Sequence, residues 1–243
     1  MEEVIKIRNL YKAFGHNEVL KDISLSLREG ENIVVMGKSG IGKSVLIKCI
    51  VGLLKHDSGT IEIFNTDIST LTYRQLDNVR KKIGFLFQGG ALYDSMNVRE
   101  NLEFPLLRSR FLKETDKKKN LIIDEVLENV GLLEAKNKMP SELSGGMQKR
   151  LGLARTLVLR PRIILYDEPT TGLDPVTSNE IIKLMISVQE KYNTSSIIIT
   201  HDLKCAKMTA NDIKLLKNGI FYAEGTYDEM TQSSDRDVAE YFN

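Results

Sequence analysis

The chain of 243 residues is predicted to adopt an α/β fold, because short apolar segments alternate along it with amphipathic helical ones. Residues 33–36 and 163–166 are continuously apolar, as expected of strands that are buried on both faces. A polar connection and then a helical pattern follow each of them. This order favours a doubly wound parallel sheet that binds its ligand at the carboxyl ends of the strands.

Shorter segments predict an antiparallel sheet at the edge of this core. Residues 4–8 and 23–28 alternate apolar and polar side chains, and residues 61–64 repeat the pattern. The aromatic side chains of Tyr11 and Phe14 lie between the first two segments. Their position alone favours packing in the core as strongly as contact with a ligand.

Residues 76–142 are predicted to form a mostly helical subdomain. Apolar side chains recur at near-helical spacing from Leu121 to Val130, and Gly131 follows as a stop signal. Residues 108–119 are strongly charged, which favours a solvated surface. The predicted division of a single domain, 1–243, therefore assigns 1–75 and 143–243 to the core with its antiparallel edge, and 76–142 to the helical subdomain.

Four more segments complete the alternation of strands and helices. Residues 83–87 are an apolar strand that ends at Gln88, and residues 196–200 are a β-branched strand. Ser144 opens a helix with an apolar face, and residues 177–191 carry a second such face. The parallel sheet is thus expected to continue through the second half of the chain.

Residues 37–44, read as Gly-Lys-Ser-Gly-Ile-Gly-Lys-Ser, form a glycine loop between the first buried strand and the helical segment 45–54. In this pattern the glycines let backbone N–H groups point inward at phosphate, while Lys43 and the Ser44 hydroxyl meet a terminal phosphate and Mg²⁺. A simple glycine turn is the alternative, and the flanking strand and helix disfavour it. The predicted nucleotide-binding residues here are Gly37, Lys38, Ser39, Gly40, Ile41, Gly42, Lys43, Ser44 and Val45.

Polar residues at the ends of other strands predict the chemistry of the site. Asp167 and Glu168 are adjacent carboxylates after an apolar strand, where burial without a function is costly. Glu168 is the expected general base, His201 is expected to donate to the γ-phosphate, and Gln88 is expected to hold the attacking water or the metal. The predicted catalytic residues are Lys43, Gln88, Glu168 and His201, and the predicted metal ligands are Ser44, Gln88 and Asp167.

Together these motifs resemble those of the ATP-binding-cassette (ABC) ATPases over nearly the whole chain. Residues 143–148, Leu-Ser-Gly-Gly-Met-Gln, are similar to the signature loop of that family and lie just upstream of Asp167 and Glu168. The resemblance implies a RecA-like P-loop NTPase core with an antiparallel β subdomain and a helical subdomain. It also implies ATP and Mg²⁺ as the bound groups, and hydrolysis of ATP as the activity.

The same resemblance implies a head-to-tail homodimer. In it, Ser144, Gly145 and Gly146 of one copy close over ATP that Lys43 of the other copy holds. Phe14, rather than Tyr11, matches the aromatic residue that stacks on adenine. Two further matches are Asp174, in the loop that crosses the dimer interface, and Gln88, which links the site to the helical subdomain.

Two positions depart from the usual pattern of the family. Lys38 stands where proline is common, and Thr171 with Gly172 replaces a more usual Ser-Ala pair. Neither change removes a group that is expected to act in catalysis.

A finer resemblance concerns the transported substrate. Residues 88–98, 139–147 and 235–242 look like the ATPase of the Mla/Mce phospholipid transport systems of bacterial envelopes. This implies a separate membrane permease that contacts the helical subdomain, and a peripheral location at the cytoplasmic face of the inner (plasma) membrane. The alternatives are an importer of amino acids or other small solutes, a soluble ABC ATPase without a transport role, and a small-molecule kinase, which would leave the signature loop unexplained.

Composition sets limits on partners and compartment. The formal net charge of +1 gives no electrostatic reason to expect nucleic acid as a partner. Cys49 and Cys205 are far apart and form no metal or disulfide pattern, which favours a reducing compartment. Residues 1–10 are charged throughout, so no signal peptide is expected, and no apolar run approaches the roughly 18 to 20 residues that span a bilayer.

Overall fold

The structure is a computed structural model that describes residues 2–108 and 116–242. The strands in chain order are β1 (Glu3–Phe14), β2 (Asn17–Arg28), β3 (Asn32–Met36), β4 (Ser58–Ile63), β5 (Thr66–Asp67), β6 (Ile83–Leu86), β7 (Ile163–Asp167), β8 (Ser195–Ile199), β9 (Asp212–Lys217) and β10 (Ile220–Gly225). The helices are α1 (Lys43–Ile50), α2 (Tyr73–Arg80), α3 (Val98–Arg108), α4 (Asp116–Asn129), α5 (Gly145–Leu157), α6 (Pro175–Tyr192), α7 (Leu203–Thr209), α8 (Tyr227–Thr231) and α9 (Arg236–Phe242).

A six-stranded sheet in the order β10-β9-β3-β8-β7-β6 forms the centre of the fold. Its strands are parallel except for β10, which pairs antiparallel with β9. Every residue of β3, β7 and β8 is buried, which explains their apolar runs at residues 33–36, 163–166 and 197–199. The predicted α/β fold with a parallel sheet is confirmed, and the ends of β3, β6, β7 and β8 meet at one edge.

The core has two apolar layers, one on each face of this sheet. Along β3, Ile33 and Val35 face the layer that contains α1 and the antiparallel sheet. Val34 and Met36 face the opposite layer, which includes side chains of α3, α5 and α6. Successive side chains of a strand point to opposite faces of the sheet, which explains this alternation. Burial on both faces fixes the register of β3, and with it the position at which the glycine loop begins.

The antiparallel sheet has the order β2-β1-β4-β5. Strand β1 is longer than the predicted segment 4–8, because it continues to a hairpin in which Phe14 pairs with Asn17. A register shift between Ile7 and Leu10, with Asn9 in a left-handed conformation (φ 46°), interrupts the alternation. A bulge of this kind hides the second half of a strand from pattern analysis.

Two other predicted boundaries differ from the structure. Helix α1 ends at Ile50 rather than at residue 54, because Gly52 adopts a left-handed conformation (φ 66°) that a helix cannot continue. Strand β6 lies inside the range 76–142, yet it pairs with β7 in the central sheet. That part of the predicted helical subdomain therefore belongs to the core, and the boundaries of the subdomain otherwise stay a prediction.

Helices α3, α4 and α5 pack together beyond β6. Their buried side chains, among them Leu102, Val126 and Leu151, belong to one apolar layer. The predicted helix around Leu121 to Val130 corresponds to α4, and Gly131 follows it with φ 69°.

Most of the charged segment 108–119 falls on residues 109–115, which lie outside the described residues. Among the helices that the structure describes, none combines the length and apolar character needed to cross a membrane.

Candidate active site

The glycine loop connects β3 to α1 in a conformation that requires glycine at two positions. Gly37 has φ 150°, and a Cβ atom there would lie 2.5 Å from the main-chain oxygen of Leu216 on β9. Gly42 has φ 116°, and a Cβ atom would lie 2.6 Å from Cγ1 of Val19 on β2. The loop is therefore pressed between two sheets, and its shape depends on backbone that carries no side chain.

Lys43 is buried at the first position of α1. Its Nζ donates to the main-chain oxygens of Gly37 at 2.6 Å and Lys38 at 3.0 Å, and it lies 3.9 Å from Oε1 of Glu168. Burial lowers the pKa of Lys43, while the negative charges of Glu168 and Asp167 act to raise it. A lysine that spans the loop in this way is positioned to meet an anion bound inside it.

Ser44 and Asp167 form a pair of oxygen donors beside Lys43. The Ser44 hydroxyl donates to Oδ1 of Asp167 at 3.1 Å, and Asp167 is only 8% exposed at the end of β7. Burial raises the pKa of Asp167, and the hydrogen bond from Ser44 opposes this shift. Hydroxyl and carboxylate oxygens are the hard donors that Mg²⁺ prefers, so these two residues fit the predicted metal site.

Glu168 turns away from Asp167 and makes different contacts. Its backbone is left-handed (φ 52°), and its Oε2 lies 2.8 Å from Nδ1 of His201 and accepts a hydrogen bond from the Thr171 hydroxyl at 3.1 Å. An ionised carboxylate only accepts hydrogen bonds, so Nδ1 carries the proton in this contact. The structure thus brings the two predicted catalytic residues together, with Thr171 as a partner that sequence reasoning missed.

A cleft of about 660 Å³ lies over the glycine loop. Its lining residues are Phe14, Val19, Gly37, Lys38, Ser39, Gly40, Gly42, Lys43, Ser44, Val45, Gln88, Glu168, Thr171, His201 and Tyr241. Most of the predicted site residues therefore share one cleft. Val19, Thr171 and Tyr241 were not predicted.

The two aromatic residues of β1 have different surroundings. Tyr11 is 40% exposed and Phe14 is 48% exposed, so packing of both in the core is the wrong interpretation. Phe14 lines the cleft, whereas Tyr11 does not. The geometry favours Phe14 as the aromatic side chain that a nucleotide base would contact.

Ile41 and Asp167, two predicted site residues, do not line the cleft directly. The side chain of Ile41 packs against the apolar layer that contains α1, so only its backbone belongs to the loop. Asp167 reaches the cleft through the Ser44 hydroxyl. The packed side chain leaves the Ile41 backbone in the glycine loop, and the contact with Ser44 is compatible with the predicted role of Asp167 as a metal ligand.

The signature loop and Asp174 lie outside the cleft of their own chain. Ser144 caps α5 by accepting a hydrogen bond from the Met147 N–H at 3.3 Å. Asp174 caps α6 by accepting from the N–H groups of Val176 and Thr177, each at 3.0 Å. A Cβ atom on Gly146 would lie 2.4 Å from Cγ2 of Thr177, so the two helix starts pack closely together.

Comparisons with known proteins agree with this geometry. The family model of ABC transporters matches residues 20–171. The probable ribonucleotide transport ATP-binding protein mkl of Mycobacterium leprae is 37% identical over all of this chain and 70% of its own length. The intermembrane phospholipid transport system ATP-binding protein MlaF of Haemophilus influenzae is 37% identical over 99% of this chain and 90% of its own length.

A solved structure supports the same assignment. The dimeric structure of MJ0796, described as a bacterial ABC transporter cassette, superimposes with a TM-score of 0.84. It is 32% identical in sequence, and the match covers 91% of this chain and 98% of that one. On the family match, the relatives that align along the whole of this chain and the cleft geometry, this chain belongs to the ABC transporter family.

Proposed function

We propose that this chain is the ATP-hydrolysing subunit of an ABC transporter that drives phospholipid transport in a bacterial cell envelope. One observation carries the ATPase part of this proposal. The ends of β3, β7 and β8 place Lys43, the Ser44–Asp167 pair and the Glu168–His201 pair around one cleft. Phosphoryl transfer depends mainly on positioning and charge, and these residues supply both.

The cleft offers ATP a binding surface at each end. Backbone N–H groups of the glycine loop and the ammonium of Lys43 provide the positive charge for the phosphates. Lys43 has three N–H donors, so it can exchange its contacts with Gly37 and Lys38 for phosphate oxygens. Phe14, exposed at the cleft, provides a flat apolar face for the adenine ring.

Ser44 and Asp167 would hold Mg²⁺, which when bound neutralises charge on the β- and γ-phosphates. Their oxygen atoms lie 3.1 Å apart at the base of the loop. Gln88 lines the same cleft from the end of β6 and completes the predicted ligand set.

Glu168 is the general base in this proposal. It accepts the proton of the attacking water, and His201 holds it through the Nδ1–H group at 2.8 Å. In this arrangement His201 orients the general base through its Nδ1–H group. A neutral imidazole has only one N–H group, so His201 could also donate from Nε2 to the γ-phosphate only if its ring carried a second proton. The Thr171 hydroxyl gives the Glu168 carboxylate its second fixed partner.

The site is completed by a second copy of the chain in a head-to-tail homodimer. Ser144, Gly145, Gly146 and Asp174 lie outside the cleft of their own chain, at the helix starts of α5 and α6. Positive charge and N–H groups at the start of α5 would close over the γ-phosphate of the partner's ATP. The solved structure of MJ0796 is described as dimeric, which supports the pairing of two copies; the head-to-tail arrangement is part of the proposal.

A mixing experiment tests the composite site. Ser144→Arg and Lys43→Ala should each abolish ATP hydrolysis in the homodimer, while the mixed dimer retains one intact site that joins Lys43 of one copy to Ser144 of the other. We expect hydrolysis to return on mixing, and Ser187→Arg, on the exposed side of α6, to have no effect. No recovery on mixing would argue against head-to-tail pairing.

Phospholipid as the substrate is supported by the relative named MlaF and by the sequence resemblance of residues 88–98 and 139–147. A separate membrane permease would contact the helical subdomain, and movements of the ATPase on ATP binding and hydrolysis would reach it there. This chain would lie at the cytoplasmic face of the inner membrane. The relative named for ribonucleotide transport is also 37% identical, so transport of a small solute is the competing assignment. Both assignments use the same ATPase chemistry.

Co-purification separates these substrates. The chain would be isolated with its permease in mild detergent, and the bound small molecules would be identified by mass spectrometry. We expect phospholipid to be enriched over a matched preparation that lacks the permease. A nucleotide or amino acid in its place would overturn the phospholipid assignment and leave the ATPase assignment intact.

A further inference from the structure

A buried lysine of α5 reaches the loop that follows β6. Lys149 is 9% exposed, and its Nζ donates to the main-chain oxygen of Gln88. Burial lowers the pKa of Lys149, while the charges of Asp167 and Glu168 act to raise it. An ammonium group is costly to bury, and this one lies near the catalytic carboxylates without lining the cleft.

Two further contacts join α5 to the same loop. A Cβ atom on Gly152 would lie 3.2 Å from the Cα of Gly90, so helix and loop are in direct backbone contact. The Arg155 guanidinium donates to the main-chain oxygen of Ala91. Gly90 and Ala91 both have left-handed backbones, with φ 72° and 48°. The loop therefore holds a specific shape against one face of α5.

Helix α5 also carries the signature loop at its first turn, where Ser144 is the cap. Lys149 follows Ser144 by five positions, which is about 7–8 Å along a helix axis. A rigid helix transmits a displacement of its first turn to Lys149 with little loss. Lys149 is thus the point at which movement of the signature loop would reach Gln88.

We propose that Lys149 is a positioning residue for ATP hydrolysis, which holds the main chain of Gln88 so that the Gln88 side chain stays at the cleft. When a second copy of the chain binds against Ser144, the first turn of α5 would move. The contact between Lys149 and Gln88 would then pass this movement to the nucleotide in the first copy's own cleft. That second step rests on the proposed head-to-tail pairing. The first step depends only on contacts within one chain.

The test compares ATP hydrolysis by variants of the chain. Lys149→Met removes the charge and the donor at similar volume, and we expect kcat to fall about tenfold, as for loss of a hydrogen bond from a charged group. The KM for ATP should change less than about twofold, because Lys149 does not line the cleft. Lys149→Arg retains charge and donors, and should stay within about threefold of the unaltered chain.

A double-mutant cycle with Gln88→Ala separates positioning from a general loss of structure. If Lys149 acts through the Gln88 side chain, Lys149→Met should change kcat less than about twofold when Gln88 is already alanine. Arg155→Met is the matched control, because it breaks a similar contact from the same helix to the same loop. We expect it to lower the thermal midpoint as Lys149→Met does, and to keep kcat within about twofold.

Several outcomes would overturn the inference. These are an equal, tenfold effect of Lys149→Met in both backgrounds, an equal loss of kcat in Arg155→Met, or a large rise of the KM for ATP. If Lys149→Met does not fold, Lys149→Gln carries the same cycle with a neutral donor. If the mixing experiment with Ser144→Arg fails while the cycle holds, the pairing is wrong and the role of Lys149 within one chain stands.

Discussion

Replacing Glu168 by glutamine is the most direct test of the candidate active site, because it removes one charge and preserves the size of the side chain. Oε2 of Glu168 lies 2.8 Å from Nδ1 of His201 and accepts a hydrogen bond from the Thr171 hydroxyl at 3.1 Å. Glutamine retains an oxygen for one of these contacts. The fold should therefore be preserved, so that changes in hydrolysis and in ATP binding report on the cleft.

The expected loss of rate follows from the role of the carboxylate. Loss of a general base lowers kcat by about 10²- to 10⁴-fold, which is about 2.7 to 5.4 kcal/mol in the barrier. ATP binding should change in the opposite direction. Glu168 Oε1 lies 3.9 Å from Lys43 Nζ, a separation worth about 4 kcal/mol of Coulomb attraction at an effective dielectric constant of about 20. The neutral side chain competes less for Lys43 and repels the phosphates less.

The assay combines phosphate release, binding of a fluorescent ATP analogue and gel filtration with ATP. Glu168→Gln should bind ATP at least as tightly as the unaltered chain and accumulate as an ATP-bound dimer, whereas Lys43→Ala should lose nucleotide affinity. Thr171→Val keeps the carboxylate and serves as the control, with kcat within about tenfold of the unaltered chain. Normal hydrolysis in both Glu168→Gln and Lys43→Ala would refute the assignment of the site.

Three further predictions test other parts of the structure. Tyr241→Ala should raise the KM for ATP about threefold in steady-state assays, because it removes an aromatic wall of the cleft, and Tyr241→Phe should not. Asn101→Ala should lower the free energy of unfolding in urea by about 1–3 kcal/mol, because this fully buried amide donates to the main-chain oxygen of Tyr93 and accepts from its N–H group. Burial raises the pKa of Cys49 to about 11 and that of Cys205 to about 12, so neither thiol should be alkylated at pH 8 before unfolding.

The sequence was most informative where function and burial act on neighbouring residues. Strands β3, β7 and β8 are buried on both faces, so their apolar runs are visible, and the polar residues that follow them mark the edge of the sheet. A Cβ atom at Gly37 or Gly42 would lie less than 3 Å from a neighbouring atom, so both positions favour glycine. For these reasons the cleft and most of its lining were predictable.

Residues that approach the cleft from distant parts of the chain were not predictable. Tyr241 lies on α9, the last helix, and Val19 lies on β2, and neither carries a local signal for binding. Asn9 breaks the alternation of β1, which hid the strand that delivers Phe14. Strand β6 has only four residues, which is a weak local signal for a sheet. Its pairing partner, β7, lies about eighty residues later in the chain, so the pairing could not be predicted from the local sequence.

The adjacent carboxylates show how the backbone gives two neighbouring acids, for which the sequence predicts different roles, different surroundings. Asp167 is the last residue of β7, and its side chain points at Ser44 within the buried end of the sheet. Glu168 follows with a left-handed backbone, a conformation that costs a residue with a side chain roughly 1–3 kcal/mol. That turn directs the second carboxylate to His201 and Thr171. The left-handed turn at this one position separates the predicted metal ligand from the predicted general base, which would let two neighbouring acids perform different chemistry at the same cleft.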